Sequence, residues 1–235
     1  MLKFSPFLLA LAYGVLIYLF SAWRTNRELD ARSSELADAR LKALTDRMAA
    51  ALDIPRIRVF LYEIEPVNGL AAPDGRIFIT RGFYNRYRSG EVTAEELSSV
   101  IAHELGHVAL GHTRRRMIDF SGQNAAFVAL VALLTRFIPV IGPFVAVWAA
   151  RLVTAMLAAT LSRADEYEAD AYASALLVRA GIGTAPQKSL FRKLEHLTGM
   201  RPGTIPAWLL SHPSTEARIA AIEAREARWT ALPGS

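Results

Sequence analysis

The sequence predicts an α+β fold, mostly helical, with a small β-sheet, an N-terminal transmembrane helix and a hydrophobic helical hairpin. Three observations carry this reading. The chain opens on a long apolar run, two short strand patterns flank a Gly/Pro-rich turn, and most of the remainder has helical periodicity. At 235 residues it fits one domain, or one domain plus an anchor. A hydrophobic share of 52% excludes a disordered chain. The absence of cysteine excludes disulfide scaffolds, thiol nucleophiles and cysteine-ligated metals, so any metal must sit on His, Asp or Glu.

Residues 1–23 are expected to form the anchor. The run from Phe4 to Trp23 is interrupted only by Ser5, Pro6, Gly14 and Ser21, and a helix of that length rises roughly 30 Å, enough to cross a bilayer core. Phe20-Ser21-Ala22-Trp23 is a poor small-x-small cleavage site, which argues against a removed signal peptide. Residues 24–54 turn polar, with Leu41, Leu44, Met48 and Leu52 at helical spacing, and read as a juxtamembrane amphipathic helix ended by Pro55. The globular domain, 55–235, begins with alternating Ile57, Val59 and Leu61, a strand pattern. The turn residues Asn68, Gly69, Pro73, Asp74 and Gly75 follow, then a second strand from Arg76 to Thr80.

The strongest chemical signal is His103-Glu104-Leu105-Gly106-His107. Thr93 and Glu96 form a capping box, so a helix should start near Ala94. His103 and His107 then lie about 40° apart on one face, with Leu97, Ile101, Leu105 and Val108 on the other. Two imidazoles one turn apart can reach a single metal ion, and Glu104 beside them can take a proton from water that the ion has activated. A surface helix with two unrelated histidines is the bland alternative, which the specificity of the motif disfavours. His112 projects almost opposite His103 on the same wheel and reads as structural.

A catalytic zinc site needs a third protein ligand. The segment Ser162-Arg163-Ala164-Asp165-Glu166-Tyr167-Glu168-Ala169-Asp170 offers one. On a helix Glu166 and Asp170 share a face, while Glu168 points about 200° away from Glu166. A ligand carboxylate with a second acid that orients an imidazole fits this spacing, and so does a solvated acidic face.

On these residues the sequence resembles the HtpX-like and CAAX-prenyl-protease-type membrane zinc metallopeptidases, a gluzincin group. The resemblance runs roughly from Asn68 to Ile219. It rests on the HExxH helix, followed after a hydrophobic insertion by a Ser-Arg-x-x-Glu-x-x-Ala-Asp signature, here Ser162, Arg163, Glu166, Ala169 and Asp170. It implies a zincin-type core, one Zn2+ per chain, Glu166 as third ligand and Asp170 as its support. Ser211-His212-Pro213 and Arg218-Ile219 look like the family's C-terminal element. By that likeness His212 faces the active site and helps stabilise the oxyanion, and Arg218 braces the acidic helix. Asn68 to Gly82 is similar to a family segment whose edge strand, here Asn68, Gly69, Leu70 and Ala71, takes an extended peptide by strand addition. Gly69 stands where alanine is usual.

The insertion, 117–161, reads as two helices, about 117–135 and 144–161, joined across Arg136, Pro139, Gly142 and Pro143. Its length favours a membrane-associated hairpin, against which Asp119, Gln123 and Arg151 weigh. Because His103, His107 and Glu166 must meet at one ion, zero or two crossings can separate them. Arg24, Arg27, Arg32, Arg114 to Arg116 and Arg163 flank the apolar segments. They favour a cytoplasm-facing domain on an inner or plasma membrane, with Lys3 competing from the other flank. A basic face next to lipid also explains the pI near 9.7 without nucleic acid.

The expected function is hydrolysis of peptide bonds in membrane or membrane-proximal polypeptides, as in quality control. A prenylated substrate is disfavoured, because the hydrophobic portion is too short for a multi-helix chamber. One rival is a membrane-bound chaperone-like or structural factor with a structural zinc, for which Glu104 would have no use. A second is a nucleic-acid module built on Phe83, Tyr84, Arg86, Tyr87 and Arg88. Nothing in the sequence sets an oligomeric state.

Overall fold

Helix α1 (Ser5–Arg32) takes in the apolar opening and continues well past Trp23. The structure, a computed structural model, describes residues 5–72, 74–112, 115, 127, 130, 131, 134, 135, 143–198 and 213–231. The expected single helix over 24–54 is corrected by it. Residues 24–32 extend α1, Ser33–Glu35 form strand β1, and the amphipathic helix is α2 (Ala39–Ala51). The break has a tertiary cause. Ser33 to Glu35 pair antiparallel with strand β2 (Val59–Tyr62), Ser33 opposite Tyr62 and Glu35 opposite Phe60. Asp38 then restarts the helix, its Oδ1 accepting from the backbone N–H of Arg40 and Leu41 at 3.1 and 3.0 Å.

The sheet has the order β1-β2-β4-β3, with β3 spanning Gly69–Ala71 and β4 Ile77–Thr80. The β2 and β4 strands run parallel, and β3 lies antiparallel on β4, Leu70 opposite Phe78. Both faces are covered. Val59, Ile77 and Ile79 join Leu41, Leu44, Met48, Leu97, Ile101 and Leu177 in the main core. On the opposite face Phe60, Tyr62 and Phe78 pack with Leu29 of α1. The Tyr62 hydroxyl also donates to Glu28 Oε1 at 2.9 Å, so the end of the first helix docks on the sheet.

Helix α3 (Arg81–Arg88) buries Phe83, and its Tyr84 and Tyr87 hydroxyls donate to Asp38 at 3.1 and 3.2 Å. Arg86 pairs with Glu91 at 2.9 Å. Tyr84 and Tyr87 are thereby engaged with Asp38 rather than free to stack on bases.

Helix α4 (Ala94–Ala109) opens with the expected capping box. Glu96 N–H donates to Thr93 Oγ1 at 3.1 Å and Thr93 N–H to Glu96 Oε2 at 2.9 Å. The same carboxylate receives Ser189 and Lys193 of helix α6 (Ala185–Leu197) at 2.7 and 2.8 Å, which fixes the start of α4 against its neighbour.

Helix α5 (Pro143–Arg179) is one element of 37 residues, about 55 Å long. It joins the expected second limb of the hairpin, 144–161, to the acidic segment without a break. Its first half exposes Phe144, Val145, Trp148, Leu152, Val153 and Met156. Its second half is buried against α4, and helix α7 (Thr215–Ala231) also packs on it. Among the described residues, α5 is the one helix whose length and composition suffice to cross a membrane. The Arg151 guanidinium lies 5.6 Å from the Phe127 ring centroid. Phe127, Leu130, Val131, Leu134 and Thr135 are helical, and the rest of the expected first limb, 117–135, lies outside the described residues.

Candidate metal centre

Close packing of α4 on α5 builds the site. A Cβ at Gly106 would stand 3.0 Å from both the Cα and the carbonyl oxygen of Ala169, so the glycine inside the histidine motif sets how near the two backbones come. That approach brings three donors together. His103 Nε2 lies 3.0 Å from His107 Nε2 and 3.4 Å from Glu166 Oε2, and His107 Nε2 lies 3.5 Å from Glu166 Oε1. Four-coordinate zinc with bonds of roughly 2.0–2.1 Å holds its ligand atoms about 3.3 Å apart, so the triangle fits such an ion in size and in donor chemistry. Glu168 faces the other way, as its helical position requires.

The far nitrogens of the two imidazoles are held differently. His103 Nδ1 lies 2.9 Å from Asp170 Oδ1. Arg218 of α7 clamps the same carboxylate with two bonds, Nε to Oδ2 and Nη2 to Oδ1, both 2.7 Å. Its guanidinium stacks 4.2 Å from the Phe191 ring centroid and reaches Glu166 Oε2 at 3.8 Å. Burial pushes the His103 pKa down, but hydrogen bonds with Asp170 and Glu166 and the Asp170 charge outweigh it and lift the value to about 9. Burial works against the charged Asp170 carboxylate too, yet Arg218 and His103 hold its pKa below the ordinary 3.8.

His107 Nδ1 lies 2.9 Å from His112 Nδ1, and His112 Nε2 lies 3.0 Å from Glu168 Oε2 and 3.7 Å from Asp165 Oδ1. Arg115 Nη1 sits 3.1 Å from Asp165 Oδ1. Burial keeps the His112 pKa below its usual value, ahead of the opposing pull of Glu168 and Asp165. Sequence reasoning placed His112 on the far side of the helix, and this is wrong. Helix α4 ends at Ala109, and Gly111 at φ +70° turns the chain so that residue 112 folds back under the motif. Gly111, a helix-stop signal just before it, could have warned of this.

Glu104 is buried beside these ligands, and its carboxylate has no hydrogen-bond partner among the described residues. It adjoins β3. A Cβ at Gly69 would come within 3.3 Å of Glu104 Oε1 and collide with Val100 Cγ1 at 2.5 Å, so glycine lets the strand lie directly on α4. Asn68 precedes β3 and is tied to Thr80, its N–H donating to Thr80 Oγ1 at 3.0 Å and its carbonyl accepting from Thr80 N–H at 3.1 Å. Leu70 and Ala71 continue the strand, which forms one margin of the sheet. His212 lies outside the described residues.

The sequence pattern of peptidase family M48 matches residues 35–226. Metalloprotease LoiP of Escherichia coli is 27% identical over 186 residues, covering 79% of this chain and 69% of LoiP. Protease HtpX of Pseudomonas aeruginosa is 29% identical over 204 residues, 74% of this chain and 68% of that protein. The human mitochondrial metalloendopeptidase OMA1 is 24% identical over 224 residues, and the match covers 39% of its length. The crystal structure of Ste24p from S. mikatae shares the fold at TM-score 0.54 and 21% identity, over 81% of this chain and 50% of that one.

Proposed function

This chain belongs to peptidase family M48 and is a metalloendopeptidase, and on that premise we propose that it is a membrane-anchored zinc enzyme cutting membrane or membrane-proximal polypeptides. The observation that carries the reading is the triangle of His103, His107 and Glu166 atoms at 3.0, 3.4 and 3.5 Å. His103, His107 and Glu166 would hold one zinc ion per chain, which would supply the charge that polarises a peptide carbonyl and eases loss of a proton from water near neutral pH. Glu104 accepts that proton and later delivers it to the departing amine. An extended substrate pairs with the margin of β3, from Asn68 to Ala71, which sets its carbonyl beside Glu104. Asp170, braced by Arg218, fixes the His103 ring, and His212 helps stabilise the oxyanion. A structural zinc in a chaperone-like factor would leave Glu104 without work.

Residues 1–23 and the 117–161 insertion attach the domain to an inner or plasma membrane, and the flanking arginines favour a cytoplasm-facing active site. The exposed apolar half of α5 supports this attachment. The domain comprises 55–235 together with β1 and α2 of the 24–54 segment, since Ser33–Glu35 complete the sheet and Leu41, Leu44 and Met48 lie in the main core. Lipid and polypeptide are its partners, and the internal pairing of α3 speaks against nucleic acid.

The deciding experiment uses Glu104→Gln in the full chain. Zinc content and thermal unfolding should match the wild type while cleavage of an unfolded membrane substrate falls at least 1,000-fold, a magnitude on the order of losing general acid–base help. Cleavage at the wild-type rate would overturn the mechanism.

A further inference from the structure

The reaction uses His103, His107, Glu104 and Glu166, and leaves one fully buried histidine without a role. His112 is 0% exposed and touches a proposed ligand on one side and a surface acid on the other. We propose that His112 is a positioning residue that locks His107 in the metal-binding tautomer, through a relay running from His107 to His112 to Glu168. This inference rests on the zinc reading above and deepens it.

With His112 neutral, the geometry leaves one consistent arrangement of protons. An ionised carboxylate only accepts, so the 3.0 Å contact with Glu168 Oε2 requires the His112 proton on Nε2. A neutral His112 then presents a bare Nδ1 to His107 Nδ1 at 2.9 Å, and the hydrogen between them must come from His107. With its proton on Nδ1, His107 turns the Nε2 lone pair toward His103 and Glu166. The reverse arrangement puts the His107 proton on Nε2, where it blocks an ion, and sets the His112 Nε2 lone pair against a carboxylate. The orientation of a buried ligand is therefore dictated by an acid whose side chain is 54% exposed. Asp165 at 3.7 Å and Arg115 hold that end of the relay in place. Asp170 performs the same service for His103 by direct contact, so each imidazole has its own orienting partner.

His112, Asp165 and Glu168 also place ligand-type atoms within 4.8 Å of one another, as a second ion would require. Arg115 Nη1 beside Asp165 Oδ1 at 3.1 Å favours the relay, since a guanidinium already supplies the positive charge there.

The test measures zinc affinity by competition with a chromogenic chelator, on the full chain in detergent. His112→Phe keeps a ring of similar shape without the acceptor and should weaken zinc about 10- to 100-fold. His112→Asn places a carbonyl oxygen near the old Nδ1 and should restore affinity to within about 3-fold of the wild type. Glu168→Ala, at an exposed side chain, should weaken zinc in the same direction as His112→Phe with thermal unfolding of the metal-free protein unchanged. In the metal-free wild type, imidazole 15N shifts should show His107 protonated at Nδ1 and His112 at Nε2. Wild-type affinity in His112→Phe, or equal losses in the Phe and Asn variants, would overturn the relay while sparing the zinc site. Two zinc ions per wild-type chain would replace it with a second metal site, and a wild type that binds none would sink the underlying reading as well.

Discussion

The two histidines of the motif sit one turn apart on a single helix, yet the molecule supports them by opposite means. His103 is held from the interior by Asp170 and Arg218, whose side chains are 2% and 11% exposed. His107 is held from the surface through His112, Glu168 and Arg115, the last two about half exposed. One side depends on a desolvated charge pair that fails badly when broken. The other depends on direction alone and can lose its outer charges cheaply. Burial, more than the number of contacts, decides how much each partner is worth.

The largest expected effect tests what the two sides share. Glu166→Ala removes the one carboxylate that both imidazoles face, and metal content should fall from about one zinc per chain to a small fraction of that. Full zinc occupancy in this variant would mean that another acid is the third ligand. Next comes Asp170→Ala, which leaves the Arg218 guanidinium buried with Glu166 at 3.8 Å as its remaining carboxylate. This should cost about 3–5 kcal/mol in urea unfolding of the metal-free protein. A loss below about 1 kcal/mol would place the pair among ordinary surface bridges.

Acidity should separate the sides further, because His103 and His112 shift in opposite directions. His103 is raised from 6.5 to about 9, so its contribution is whole below pH 6.5 and disappears as pH climbs through about 9. His112 is lowered from 6.5, so its contribution is whole above pH 6.5 and is lost as pH falls through its folded value. Asp170, held below 3.8, contributes above pH 3.8 and loses this only at more acidic pH. Urea midpoints of the metal-free protein at stepped pH should therefore decline on both sides of about 6.5, and His112→Phe should flatten the first part of the acid limb alone. The smallest effect is Arg115→Ala, under about 1 kcal/mol by the same measurement, since its side chain is half in solvent.

How far the sequence could be read follows from which contacts are local. The capping box at Thr93 and the shared face of His103 and His107 depend on neighbours within one helix, and their spacing states them outright. Glu166 was visible as a candidate, but choosing it over a solvated face took the family likeness, because the choice rests on the Gly106–Ala169 approach between two distant helices. Strand β1 was missed because Ser33, Ser34 and Glu35 carry no strand preference and extend only to pair with β2. The helical wheel failed at His112 because it was drawn past Gly111, where the helix has already stopped.

The unbroken course of α5 gives the enzyme a ruler. Leu161, in the last apolar turn, and Glu166 are five residues apart on one stiff rod, a rise of roughly 7.5 Å. If the greasy half of that rod lies in lipid, the scissile bond is cut within roughly 10 Å of the headgroups. A chain end protruding far into the aqueous phase would then have to double back to be trimmed, whereas a loop just emerging from the bilayer would meet the blade directly.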